Sequence, residues 1–189
     1  MLLASASPRR AELLTQLGVP FSVSPSDVDE SRRSDESARD YVLRVAIDKA
    51  RVAIDMHAGR LVLAADTSVV IGGQVLGKPG TLAEAHAMLE LLSGQDHEVI
   101  TAVAVGIDGV LKHRVNTTVV RFAELSQVEI AAYVATGEPF DKAGGYGIQG
   151  RAGAFVENIN GSYSAVMGLP LSDTAQLLRG FGVAMETFW

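Results

Sequence analysis

Cysteine is absent from the 189 residues, and cations are fewer than anions: 16 lysines and arginines stand against 22 aspartates and glutamates. Without thiols there is no disulfide framework, and the four histidines, at 57, 86, 97 and 113, lack metal-ligand spacing, so a zinc site is not supported. The formal net charge of −6 argues against general binding of nucleic acid, which relies on neutralising phosphates. An anionic ligand must therefore be met by a local cationic pocket or a metal. Long apolar runs are missing too. The stretch Leu61–Ala65 stops at Asp66, and nothing approaches the ~20 apolar residues that span a bilayer, so no membrane association is expected. The N-terminus lacks the charged-then-apolar pattern of a secretory leader, which makes the cytoplasm the expected location. No Gly-x-Ser-x-Gly elbow of a serine hydrolase occurs. What is present, 48% hydrophobic and 20% charged residues without a low-complexity tract, is the composition of a globular protein, expected to form one domain over residues 1–189.

The chain mixes helical and strand patterns. Ser7 reads as an N-cap and Pro8 as the first residue of a helix. Phe21–Ser24 alternates like a strand and is followed by a polar, acidic loop, 25–30. Glu36 to Ala53 reads as a helix whose buried face is Ala38, Tyr41, Val42, Val45 and Ala46. Leu61–Ala65 is a buried strand continuing through Val69–Ile71 into a turn at Gly72-Gly73. Leu82–Leu92 is an amphipathic helix, and Asp108-Gly109 is a hairpin turn between strands 97–107 and 110–122. Ser126 and Glu129 form a capping box for a helix to Ala135. A glycine-rich loop, a short strand at 155–159 and a closing helix at 171–178 complete an α/β pattern with a mixed sheet and flanking helices.

Two spellings mislead. Gly72 to Lys78 fits the first seven positions of a P-loop, but Pro79 stands where a serine or threonine is required, in a strand-turn-strand context. Gly145 to Gly150 fits a dinucleotide fingerprint, yet Asp141-Lys142-Ala143-Gly144 precedes it instead of an apolar strand. Two other features break local rules in a way that suggests a site. Arg9 and Arg10 fall in the first turn of a helix, the positive end of its dipole, where a cation is unfavourable by about 0.3–1 kcal/mol. With free amides and the hydroxyls of Ser5 and Ser7 they would suit a phosphate chain; equally, both arginines would be accommodated pointing into water. Asp66 lies in an apolar strand and is costly to bury unless paired or metal-bound. Lys78 follows across the hairpin, and Asp141 to Gly150 sets two charges and an amide among glycines, where backbone can approach a ligand or simply turn.

Ser5-Ala6-Ser7-Pro8-Arg9-Arg10, Ala65-Asp66-Thr67, Gly77-Lys78-Pro79, Asp141-Lys142-Ala143-Gly144 with Tyr146-Gly147-Ile148-Gln149-Gly150, and Gly161-Ser162-Tyr163 leading to Gly168-Leu169-Pro170 follow one another in that order. In this series the chain resembles the Maf family of nucleoside triphosphate pyrophosphatases over almost its whole length. The resemblance implies two lobes around a nucleotide cleft, a cytoplasmic homodimer, and hydrolysis of a triphosphate to monophosphate and pyrophosphate in nucleotide-pool housekeeping. It implies that Asp66 accepts a proton and that Arg10, Thr67 and Gln149 read the base, a set similar to the branch preferring dTTP and UTP. Ser5, Arg9, Lys49, Lys78 and Lys142 fall at positions that resemble the family's phosphate-binding ones, with Asp141 a further polar group there. Magnesium or manganese, on Asp66 and Glu30, is inferred from the reaction rather than from spacing. Ala6 replaces a frequent glycine, and Ser164–Met167 varies a stretch that is usually Asn-Val-Val-like. A pyrophosphatase for purine or modified nucleotides, or a nucleotide-binding regulator of cell division, are the alternatives.

Overall fold

The computed structural model describes all of residues 1–189. They gather into two compact units, one of Met1–Asp66, Thr101–Asn116 and Gly168–Trp189, the other of Thr67–Ile100 and Thr117–Met167.

In the first unit, β1 (Leu2–Leu3) pairs in parallel with both β2 (Ser22–Val23) and the start of β3 (Val62–Ile71), in the registers Leu2↔Ser22 and Leu2↔Val62. The sequence Val-Leu-Ala-Ala at the start of β3 is buried at every position, as a parallel strand covered on both faces demands. Helix α1 (Pro8–Gln16) begins with Pro8 at its first position. Ser7 takes the N-cap place but its hydroxyl makes no cap bond; its own N–H instead donates to Ser5 Oγ at 3.2 Å. Helix α2 (Ala38–Met56) starts two residues later than the pattern predicts. Ser37 caps it by accepting the Asp40 N–H at 3.1 Å, and Glu36 stays outside, held by Arg44 through Nε–Oε1 at 2.6 Å and Nη2–Oε2 at 3.0 Å. The buried stripe of α2, Val42, Val45, Ala46, Lys49, Ala50 and Ala53, follows three- and four-residue spacing, with one lysine among aliphatic groups. A helix at Leu171–Arg179 and a 3-10 turn at Met185–Phe188 close this unit.

In the second unit, the end of β3 turns at Gly72-Gly73 into β4 (Gln74–Leu76), antiparallel in the register Val69↔Leu76. Helix α3 (Leu82–Leu92) is capped by the Thr81 side chain. Strands β5 (Asp96–Ile107) and β6 (Val110–Phe122) each contribute one stretch to either unit, joined at Asp108-Gly109, where φ is +46° and +84°. Those paired positive angles are what the two-residue turn requires. Helix α4 (Gln127–Val134) carries the full capping box of Ser126 and Glu129. Single 3-10 turns occupy Glu138–Asp141, Ala143–Gly145 and Arg151–Phe155 before β7 (Val156–Asn160), which is antiparallel to β6, and α5 (Tyr163–Val166). The core holds Leu76, Leu89, Leu92, Val99, Phe122, Ile130 and Tyr146, and His97 packs edge-on against Phe122 and Tyr146 at 5.0 and 5.4 Å. The seven strands run in the mixed order β2-β1-β3-β5-β6-β7, with β4 on β3. The expectation of an α/β fold with a mixed sheet and flanking helices agrees with this architecture. Helix α5 has no counterpart in the sequence reading, because four residues are too few for a period to show.

Candidate active site

Beyond β1 the chain leaves the sheet at Ser5, which is buried, and enters α1 three residues later. Ser5 Oγ accepts from Arg10 Nη1 at 3.3 Å, while Arg10 Nε donates to the Gly168 carbonyl at 2.9 Å. Two contacts thus hold the guanidinium, one from each end of the chain. Burial lowers the Arg10 pKa; Asp66 opposes that, Arg9 adds to it, and Glu30 opposes it. Arginine remains a cation even so. No acidic residue occupies the first turn of α1 to offset the two charges against the dipole.

Asp66, in the middle of β3, is 7% exposed, and Lys49, on the buried stripe of α2, is 8% exposed. Lys49 Nζ donates to Asp66 Oδ1 at 3.0 Å and pairs with Glu30 Oε1 at 2.8 Å. The requirement that a buried aspartate be paired is met by an ammonium shared between two carboxylates. Burial pushes the Asp66 carboxyl above the usual carboxylate range; Lys49 and Arg10 pull against that, and Glu30 adds to the rise. Half of the Glu30 side chain is open to water. Its loop is tied to α2 by three donors: Tyr41 Oη to the Glu30 carbonyl at 2.9 Å, and Arg44 Nη1 and Nη2 to the carbonyls of Asp29 and Ser31 at 3.4 and 2.9 Å.

The remaining expected residues belong to the second unit. Thr67, half-buried, is the next residue after Asp66 on β3. Lys78 is exposed two residues past the end of β4. The preceding carbonyl, of Gly77, accepts the Gly144 N–H at 2.9 Å, which ties the Lys78 turn to the glycine-rich loop. Gly144 has φ +71°, and a Cβ there would lie 2.9 Å from the Val69 side chain. Glycine is thus required at this position by both the positive φ and the Val69 side chain. Lys142 Nζ donates to the Glu138 carbonyl at 2.8 Å and pairs with the Asp141 carboxylate. Gln149 is exposed near the end of the loop.

The structure therefore joins Ser5 to Arg10, and Glu30, Lys49 and Asp66 to one another, in the first unit; it joins Asp141 to Lys142 in the second. A family model described as Maf-like protein matches residues 1–181. The chain belongs to the Maf family. It is 56% identical over 189 residues to the dTTP/UTP pyrophosphatase of Methylobacillus flagellatus, covering 97% of this chain and 93% of that one. It is 54% identical over 187 residues to the dTTP/UTP pyrophosphatase of Colwellia psychrerythraea, covering 96% and 88%. With the protein so named from Symbiobacterium thermophilum it shares 50% over 189 residues, covering 99% and 96%. Among solved structures, the Staphylococcus aureus Ham1 protein has the same fold, with a TM-score of 0.52 at 13% identity over 95% of this chain and 96% of that one.

Sequence reading of this Maf chain missed Tyr41 and Arg44 as the groups that fix the Glu30 loop. Tyr41 was expected on the buried face of its helix, but its hydroxyl reaches outward to the loop. A signal was available for Lys49, since positions 42, 45, 46 and 49 continue one helical face and place a cation on it. Chemically, the first-unit group offers a buried carboxylate of raised proton affinity, an ammonium that fixes it, and a guanidinium held in place nearby in charge.

Proposed function

We propose that this Maf protein hydrolyses dTTP and UTP to the nucleoside monophosphate and pyrophosphate. The observation that carries the reading is the buried Asp66 on Lys49, a carboxylate whose proton affinity burial raises while the Lys49 and Arg10 cations oppose the rise. Asp66 takes a proton from water as the water oxygen bonds to the α-phosphorus. The bond from that phosphorus to the bridging oxygen breaks, and its electron pair leaves on pyrophosphate. Lys49 keeps the Asp66 carboxylate oriented, and Ser5, Arg9, Lys78 and Lys142 supply hydroxyl and cationic partners for the phosphates, with Asp141 holding the Lys142 ammonium. Arg10, Thr67 and Gln149 read the base, of which thymine and uracil share the imide edge.

Asp66 and Glu30 converge on Lys49 Nζ at 3.0 and 2.8 Å, so two hard oxygen donors lie at one place. That donor set fits magnesium or manganese, which take one or two carboxylates and complete their shell with phosphate oxygens and water. When bound there, the ion supplies positive charge to the triphosphate. The reading further takes residues 1–189 as one functional domain, acting as a homodimer in the cytoplasm; no helix is long and apolar enough to cross a membrane. Asp66→Asn tests the assignment. It should abolish dTTP turnover while circular dichroism and melting show a folded protein, and near wild-type turnover would remove Asp66 from the mechanism.

A further inference from the structure

The segment Glu138 to Arg151 carries Asp141, Lys142 and Gln149, with no regular structure longer than a 3-10 turn to give it shape. Its shape comes from the residues behind it. Tyr133, on the last turn of α4, donates its hydroxyl hydrogen to Glu138 Oε1 at 3.0 Å and accepts the Gly147 N–H at 3.3 Å. The other oxygen of Glu138 accepts the Arg151 N–H at 3.2 Å. Gly150 lies against the same carboxylate, where an added Cβ would come 2.7 Å from Glu138 Cδ. Two backbone amides, at Gly147 and Arg151, are thus anchored two residues to either side of Gln149. The Tyr133 ring is buried, 5.3 Å from Phe155, so the phenol is itself fixed by core packing. Burial raises its pKa, and the Glu138 charge raises it further, which keeps the hydroxyl a donor throughout the working range of pH.

We propose that Tyr133 and Glu138 are positioning residues for base selection: through the amides of Gly147 and Arg151 they set where the backbone of Gln149 stands. This deepens, and rests on, the reading of Gln149 as a reader of the pyrimidine edge. An exposed glutamine has free side-chain rotamers, so the fixed part of such a reader is its backbone. Discrimination between an imide and the donor-acceptor reversal of cytosine depends on placement to within a fraction of an ångström. Neither Tyr133 nor Glu138 is assigned to contact the nucleotide.

The test is kcat/KM for dTTP, UTP and CTP in wild type, Tyr133→Phe, Glu138→Gln, Gln149→Ala and the Tyr133→Phe/Gln149→Ala double variant, with melting temperatures. Tyr133→Phe keeps the ring and removes one oxygen, and Glu138→Gln leaves one acceptor oxygen where two are used. The preference for dTTP over CTP should fall about three- to tenfold in each, the effect of one displaced hydrogen bond. In the Gln149→Ala background, where the reader is gone, Tyr133→Phe should lower the preference no further. A wild-type preference in both Tyr133→Phe and Glu138→Gln, with a reduced one in Gln149→Ala, would overturn the positioning role alone. An unchanged preference in Gln149→Ala would overturn the base reading and the positioning role with it. If Glu138→Gln does not fold, Tyr133→Phe and the double variant decide.

Discussion

Lys49 neutralises a buried aspartate and donates a hydrogen bond to it at 3.0 Å, so its loss should act on stability and chemistry together. Lys49→Met leaves Asp66 buried with its nearest countercharge gone. A fold cost of about 3–5 kcal/mol is expected from breaking such a pair on one side. The proton affinity of Asp66, already raised by burial, should rise further, moving the acid limb of the pH–rate profile to higher pH. Urea denaturation and kcat/KM against pH check the two halves, and an unmoved limb would mean that Lys49 does not set the base. His97 offers a separate test of burial. Burial lowers its pKa to about 4, although Asp96 and the Gln95 backbone oppose the shift. The unfolded chain binds that proton below its ordinary value near 6.5 and the folded chain does not, so the stabilisation is complete above pH ~6.5 and is lost as pH falls toward 4. Over the window this amounts to about 3 kcal/mol. His97→Gln, which keeps a partner for the Tyr146 hydroxyl, should flatten the decline relative to wild type in denaturation measured from pH 7 to 4.

Two helix starts contrast at the scale of elements. The Ser126–Glu129 box satisfies the first amides of α4, and Ser126→Ala should cost about 1 kcal/mol with no change in turnover. The start of α1 has no side-chain cap and no acid, only Arg9 and Arg10. Arg9→Ala should therefore cost dTTP turnover at least tenfold, about the loss of one charged contact, while the melting temperature holds or rises. Parallel falls in rate and melting temperature would assign Arg9 to the fold instead. Elements were legible in the sequence where their ends are written locally. Leu82–Leu92 was placed to the residue because Ser93-Gly94 stops it, and Asp108-Gly109 located the long hairpin. Where an end depends on a partner elsewhere the reading slipped, as at Glu36, drawn out of its helix by Arg44 eight residues on.

At the scale of the whole chain, the proposed groups divide at one peptide bond. Ser5, Arg9, Arg10, Glu30, Lys49 and Asp66 belong to the first unit; Thr67, Lys78, Asp141, Lys142 and Gln149 belong to the second. The family motifs made these residues legible as a set. Composition and period alone identified only the anomalies, a carboxylate in an apolar strand and two cations at a helix start. The pairing of Glu30 with Lys49 was not legible, because it depends on how an irregular acidic loop lies along α2, and no periodicity encodes that path. The Tyr133–Glu138 contact was hidden for the same reason, since it spans a helix end and a turn. The proposed chemistry turns on attack of water at the α-phosphorus. Hydrolysis of dTTP in oxygen-18 water, followed by mass spectrometry of the products, locates that attack. The label should appear in thymidine monophosphate, with unlabelled pyrophosphate released in equal amount. Label in pyrophosphate, or dTDP accumulating with labelled phosphate, would place the attack at another phosphorus and overturn the mechanism.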